Sequence, residues 1–231
     1  MIRQGLLRES AARSIGPGRP RRPLEIDGRR WRVIGVAFEV GRISACDLNL
    51  HGRRLGVHYE HVGRSAKELV ATACGFVEKI GLDGVLAVGI STTGFADPQS
   101  RCILRSSATA PQPCTPLESL YAAAGDRPVL LANNMHALAA YWLLSQNQDC
   151  QEDVLLTHMG DGAIGAVFLA AGKPNRGCVT GGNELGHMRL PVETDECICG
   201  RTGCLERICS SAYLRRLSGD MSADLVVRLR S

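Results

Sequence analysis

Between Gly181 and Glu206 the sequence GGNELGHMRLPVETDECICGRTGCLE places His187, Cys197, Cys199 and Cys204 close together. One histidine and three cysteines supply the four donors that a zinc ion takes in a closed, tetrahedral site. Four protein donors leave no vacant position, so such an ion would be structural rather than catalytic. The glycines of CICG and GRTGC let a tight loop turn its thiolates inward, where larger residues would crowd the backbone. The spacing Cys-x-Cys-x4-Cys is not that of a common zinc finger. A disulfide among the three cysteines, or a redox or regulatory thiol, are the alternatives to zinc.

The segments that must position this loop alternate between strand and helix. RVIGVAFEV, RISACDLNL and LGVHYEHV are short β-branched runs separated by glycine-containing turns, which predicts a three-stranded meander. In SAKELVATACGFVEKIG, Leu69, Ala73, Phe76, Val77 and Ile80 recur at helical spacing, and Gly81 stands at a C-cap position. GVLAVGIS reads as a strand covered on both faces. A helix over 116–124, a strand RPVLLAN, a helix HALAAYWLLSQ and strands DVLLTHM and AIGAVFLA follow. The class is α/β, with a first lobe over 31–132 and a second, carrying the metal loop, over 133–231.

Composition bounds the setting. The 231 residues are 45% apolar and 22% charged, as in a core-forming globular protein. No apolar run reaches the roughly 18–20 residues that cross a bilayer, and MIRQGLLRES has no signal-peptide core. A cytoplasmic protein without membrane contact is expected. In that compartment the scattered Cys46, Cys74, Cys102, Cys114, Cys150, Cys178 and Cys209 are expected to be buried thiols, not disulfides. Residues 1–34 carry nine arginines against Glu9, Glu25 and Asp27, so the chain's net charge of +4 is concentrated there. Residues 14–30, rich in proline, glycine and arginine, read as a linker.

The segment GHMRLPVETDECICGRTGCLE resembles the signature of the ROK family, which groups sugar kinases with sugar-responsive repressors. There a Gly-His pair followed by Cys-x-Cys-Gly-x-x-Gly-Cys-x-Glu marks a zinc loop beside the sugar. His187, Cys197, Cys199, Gly200, Gly203, Cys204 and Glu206 fall on that pattern. The resemblance implies an actin-like, ribonuclease H-like fold of two lobes with a sugar between them. It carries sugar contacts onto Glu184 and His187 in NELGH, onto Glu206, onto Asn133 and Asn134 in ANNMH, and onto Gly94 in TTGFAD. Each residue also has a plainer use: Asn133 as a helix cap, Glu184 as a solvated acid, Glu206 paired on the surface with Arg201 or Arg207.

Phosphoryl transfer to a sugar needs a base on the attacking hydroxyl and a cradle for nucleotide phosphates. The family's kinases use an aspartate as that base where this sequence has Asn134, a neutral amide. Their first phosphate loop aligns with AFEVGR, which lacks its aspartate, glycines and threonine and adds Glu39. Their second is matched only in part by GDGAIGAV, through Gly160, Gly162 and Gly165 with Val167 at a glycine position. No catalytic residue is assigned.

The N-terminal residues 1–30 resemble the wing strand and Gly-Arg-Pro linker that leave a winged helix-turn-helix in the family's repressors, with Gly5 at the turn. The DNA-reading helix would lie upstream, and the C-terminal segment that closes over adenosine in the kinases is also absent, so the chain reads as cut at both ends. DNA contact is then limited to weak, salt-sensitive attraction by Arg19, Arg21 and Arg22. The resemblance further suggests a homodimer. The reading is the zinc-bearing, sugar-binding effector domain of a ROK-type transcriptional regulator. An ATP-dependent sugar kinase and a truncated, non-functional remnant are the alternatives.

Overall fold

The structure, a computed structural model, describes residues 1–11, 22–39, 41–63, 65–106, 114–145, 151–159, 163–175, 184–192, 194–210, 213, 215 and 216. Arg19, Arg21, Cys150, Cys178, Gly160 and Gly162 lie outside the described residues. At the N-terminus Gly5, at φ 72°, closes a turn. β1 (Leu7–Glu9) then pairs antiparallel with β2 (Leu24–Ile26). The linker expected over 14–30 thus contains a strand. Its Leu-Glu-Ile lies in register with Leu-Arg-Glu of β1, and the Pro23 carbonyl accepts from Ser10 N–H at 2.8 Å. The Trp31 indole donates to the Gln4 carbonyl at 2.7 Å and ties this ribbon to the body.

β3 (Arg32–Glu39), β4 (Arg42–Asn49) and β5 (Tyr59–Val62) form the antiparallel meander. α1 (Ala66–Ile80) follows. Its start is fixed by the Ser65 hydroxyl, which accepts from Glu68 N–H, and its end by Gly81 in the left-handed region. The helix crosses to β6 (Val85–Thr92), which lies parallel to β3. Leu69, Ala73 and Val77 of α1 pack with Ile34, Val36, Ile43 and Val88 of the sheet in the main core.

β7 (Phe95–Asp97), β8 (Cys102–Arg105) and β9 (Thr115–Pro116) make a small antiparallel sheet. α2 (Glu118–Ala123) leads to β10 (Val129–Asn133), which joins β6 in parallel and completes the order β10-β6-β3-β4-β5. Pro116, expected at the start of the helix, instead ends β9. Within this lobe Cys102 and Cys114 form a disulfide with Cα atoms 5.8 Å apart, which corrects the expectation of free thiols at both. The cause is the β8–β9 pairing: it sets Cys102 opposite Pro116 and brings Cys114 N–H to the Leu104 carbonyl. Cys46, Cys74 and Cys209 are free and half-buried.

α3 (Asn134–Ser145) starts at the last residue of the ANN run, directly after β10. β11 (Val154–Met159), β12 (Ile164–Ala170) and β13 (Lys173–Pro174) form a separate antiparallel sheet. Met135 and Ala139 of α3 pack on Val167 and Leu169 in a second core. The opposite face of this sheet presents the cross-strand partners Leu155 and Phe168, which are 58% and 37% exposed. A single 3₁₀ turn over Leu185–His187, then the cysteine loop and α4 (Glu206–Cys209), complete the described chain. No described helix is long and apolar enough to cross a membrane.

Candidate functional site

Two features bring the candidate residues together: the loop that carries the cysteines, and the junction of β10 with α3. In the loop, Cys197 N–H donates to the Arg201 carbonyl at 2.7 Å and Gly200 N–H returns to the Cys197 carbonyl at 2.8 Å. Gly200 and Gly203 sit at φ 80° and 78°, the left-handed backbone this turn requires. The hydroxyl of Thr194 accepts from Gly203 N–H, and Leu190 N–H donates to the Gly203 carbonyl. These bonds lay the loop back on the segment that carries His187.

The donor atoms of His187, Cys197, Cys199 and Cys204 then all lie within 4.8 Å of one another. Cys199 Sγ is 3.6 Å from Cys204 Sγ, and Cys197 Sγ is 3.5 Å from His187 Nδ1. Tetrahedral zinc, with bonds of about 2.3 Å to sulfur and about 2.0 Å to nitrogen, sets donors about 3.5–3.8 Å apart. The cluster therefore fits a metal ion in both its donor set and its spacing. All three cysteines are free, so the structure contains no disulfide among them.

The thiols differ in acidity. Burial pushes Cys197 up, and it donates to Glu206 Oε1 at 3.0 Å. Burial also raises Cys199, but hydrogen bonds from the Arg201 guanidinium, at 3.5 Å from its sulfur, from the Arg201 backbone and from Cys197 and Cys204 together outweigh this and bring the thiol down to about 7. Arg201 thus stabilises the thiolate that metal ligation needs.

His187 faces two ways. Its Nδ1 points to Cys197 and lies 3.5 Å from Glu206 Oε1, while its Nε2 lies 3.7 Å from Glu184 Oε2. Glu206 is 4% exposed, and Arg207 pairs with Asp195 instead, so the surface pairing of Glu206 does not form. Burial raises the carboxyl of Glu184, with His187 opposing and Glu206 reinforcing the shift.

In the same cleft, Asn133 is engaged at both ends. Its Nδ2 donates to the Gly94 carbonyl at 2.7 Å, and its Oδ1 accepts from Met135 N–H at 2.8 Å. Asn133 is therefore a cap of α3 and also the tether of the β6–β7 turn. Asn134 Oδ1 accepts from the same Met135 N–H at 2.9 Å. Gly94 sits at φ 74°, and a Cβ there would stand 2.2 Å from the Arg105 carbonyl.

Gly94, Asn133, Asn134, Glu184, His187 and Glu206 all line one cleft of about 710 Å³. That volume lies within the roughly 300–1,000 Å³ of small-molecule sites. Thr93, Arg105, Ser106, His158 and Arg201 line it too, although the sequence did not single them out as ligand contacts. Thr93 and Ser106 meet hydroxyl to hydroxyl at 2.8 Å, and Arg105 is set opposite Phe95. Only strand register brings these residues to the cleft, and no local spacing signals it. Acids, amides, hydroxyls and cations around one partly apolar cavity are suited to a polyhydroxylated ligand.

A profile described as the ROK family matches residues 51–228. The chain is 25% identical over 224 residues to a xylose repressor from Caldicellulosiruptor bescii, covering 93% of this chain and 55% of the relative. Among solved structures, a ROK family transcriptional regulator, a homologue of E. coli MLC, aligns with TM-score 0.70 and 23% identity over 98% of this chain and 60% of its own. A ROK family glucokinase from Streptomyces griseus, in complex with glucose and AMPPNP, aligns with TM-score 0.65 and 26% identity over 80% and 59%. The chain thus spans little more than half the length of these relatives. The fold is the two-lobed, actin-like α/β fold that they share.

Proposed function

This chain belongs to the ROK family, and we propose on that premise that it is the sugar-binding effector module of a ROK-type transcriptional regulator. The observation that carries the reading is His187, which turns one ring nitrogen to the cysteine cluster and the other to Glu184 at the cleft. A structural zinc on His187, Cys197, Cys199 and Cys204 would fix the orientation of that ring and of the loop leading to Glu206. Glu184 and Glu206 would accept sugar hydroxyls. Asn134 would add an amide, and Asn133 would hold the Gly94 turn against the ligand.

The module is not expected to transfer phosphate. Asn134 carries an amide where the family's kinases carry an aspartate, and an amide does not take up the hydroxyl proton. At the β3–β4 turn, where those kinases cradle phosphate, Glu39 is closed by an ion pair with Arg42. Regulation would then be a population shift: a sugar touching both walls of the cleft favours the closed arrangement, and only that difference in affinity can alter DNA binding elsewhere. Homodimer formation and DNA contact, as in a repressor, belong to the same proposal.

Thermal unfolding of the chain against neutral and N-acetylated sugars tests this. A ligand that binds only the native state adds about 2.7 kcal/mol at a hundred times its Kd. A saturable rise in midpoint with one sugar, without ATP consumption, is the expected result. Sugar phosphorylation at a kinase-like rate would establish the kinase alternative, and a cooperative transition that no sugar moves would remove the sugar site.

A further inference from the structure

Among the described residues, three other than glycine hold a positive φ, and two of these bracket one disulfide. Arg101, at 53°, precedes Cys102, and its partner Cys114 is itself at 62°. A residue with a Cβ keeps that backbone only where its surroundings over-determine it, and such outliers gather at switch regions. Around Cys114 the holding contacts are the bond to Cys102 and the N–H donated to the Leu104 carbonyl at 3.0 Å.

The two cysteines differ in access. Cys102 is 1% exposed, whereas Cys114 lies at the surface. Thiol–disulfide exchange requires a thiolate to reach a sulfur, so it enters at Cys114. One thiolate of a dithiol bonds to Cys114 Sγ, the bond to Cys102 breaks, and its electron pair leaves on Cys102 Sγ, which takes a proton from water. The second thiolate then displaces Cys114 Sγ, which is protonated in turn, and the dithiol departs as a disulfide.

Opening that bond reaches the cleft along β8. Three residues past Cys102, the Arg105 carbonyl presses so closely on Gly94 that a Cβ there would stand 2.2 Å from it. The next residue, buried Ser106, meets the Thr93 hydroxyl at 2.8 Å. Gly94 in turn accepts from Asn133, and Thr93, Gly94 and Asn133 all line the cleft. The end of β8 is thus the backing of the β6–β7 turn. We propose that Cys102–Cys114 is a thiol-exchange site that works as a redox latch on this turn. Closed, the bond holds the end of β8 against Gly94; opened by a dithiol at Cys114, it lets Cys114 leave the left-handed region and frees the turn. Weaker sugar binding by the reduced form follows, and that consequence alone rests on the cleft being a sugar site.

The test compares amide resonances of the 231-residue chain before and after reduction by a phosphine, and again after reoxidation by oxidised glutathione. Gly94 is expected to shift or broaden and then to return, while Gly75 within α1 stays in place. In Cys114→Ser, Gly94 should sit at its reduced position and ignore the phosphine. Changes confined to residues 101–117 overturn the inference. Calorimetric titration with glucose, xylose and N-acetylglucosamine reads the consequence. A sugar that binds should do so about tenfold more weakly to the reduced chain, and should raise the disulfide-to-dithiol ratio in a glutathione buffer by the same factor. Equal affinity for the two forms overturns the inference and leaves the sugar site standing. A Gly94 resonance that moves, with no sugar bound by either form, keeps the latch and removes the sugar site.

Discussion

The side-chain amide of Asn133 bonds to the Gly94 carbonyl at 2.7 Å, thirty-nine residues away in sequence, while its oxygen caps α3. One buried residue thereby joins the end of β10, the β6–β7 turn and the first turn of the helix. Asn133→Ala removes a helix cap, worth about 1 kcal/mol, and leaves the Gly94 carbonyl without its donor, at about 1–3 kcal/mol. Urea denaturation should show a combined loss of about 2–4 kcal/mol. Asn133→Asp keeps the cap acceptor but sets a carboxylate oxygen against the Gly94 carbonyl in a buried position, so it should lose at least as much as Asn133→Ala. A smaller loss in Asn133→Asp than in Asn133→Ala would mean that the tether to Gly94 contributes little.

Gly94 itself has no room for a side chain. A Cβ would meet the Arg105 carbonyl at 2.2 Å and the Ser106 Cα at 2.9 Å, and φ is 74°. Gly94→Ala should therefore displace the turn, cost about 1–3 kcal/mol, and weaken ligand binding by more than tenfold. Stability and affinity both at wild-type values in that variant would show that the turn lies elsewhere.

The cysteine cluster predicts a metal dependence. Elemental analysis of protein purified without chelator should find about one zinc per chain, the capacity of a single four-donor site. Chelation should lower the unfolding midpoint, with recovery on adding zinc back. Cys204→Ser, at a fully buried position, should reproduce the chelated behaviour and lose the recovery. Sugar affinity should fall in parallel, because His187 and Glu206 lose the element that holds them. A metal-free chain with an unchanged midpoint would refute the metal.

Arg32 predicts a stability effect far from the cleft. Its guanidinium meets Asp47 Oδ2 at 2.7 Å and the carbonyls of Asp83 at 2.9 Å and Gly81 at 3.0 Å, so it neutralises a buried acid and closes the C-terminus of α1. Arg32→Met leaves that carboxylate uncompensated and should cost about 3–5 kcal/mol. Arg32→Met with Asp47→Asn should recover part of it. A loss equal to the sum of the two single variants would show that the pair is not coupled.

Much of this arrangement is local in sequence and was legible there. The helical spacing of Leu69 to Ile80 and Gly81 at the C-cap mark α1, and the spacing of His187 with the three cysteines encodes a loop whose hydrogen bonds span only a few residues. What was not legible depends on register between distant segments. β2 acquires its strand only by pairing with β1, across residues that read as linker. The sequence allows Asn133 as either a cap or a ligand contact; the structure gives it the cap and also the tether to Gly94, which no local pattern announces. Arg105 and Ser106 arrive at the cleft through the β7–β8 pairing, where neither their types nor their spacing marks a site.

The Cys102–Cys114 pair belongs to the same class of hidden contact and supports the last prediction. Both residues flank the β8–β9 connection, twelve positions apart. Closing a loop of that size is worth about 3 kcal/mol through the entropy it removes from the unfolded chain. Proteolysis without reductant should yield one disulfide-linked peptide containing both residues, and reduction should lower the unfolding free energy by about 2–3 kcal/mol. Cys114→Ser, which alters an exposed residue, should match the reduced protein, and reductant should then have no further effect. Because Arg105 and Ser106 lie inside that loop and line the cleft, ligand affinity is expected to weaken with the bond broken. Two alkylatable thiols at these positions in unreduced protein would show that the pair is not closed.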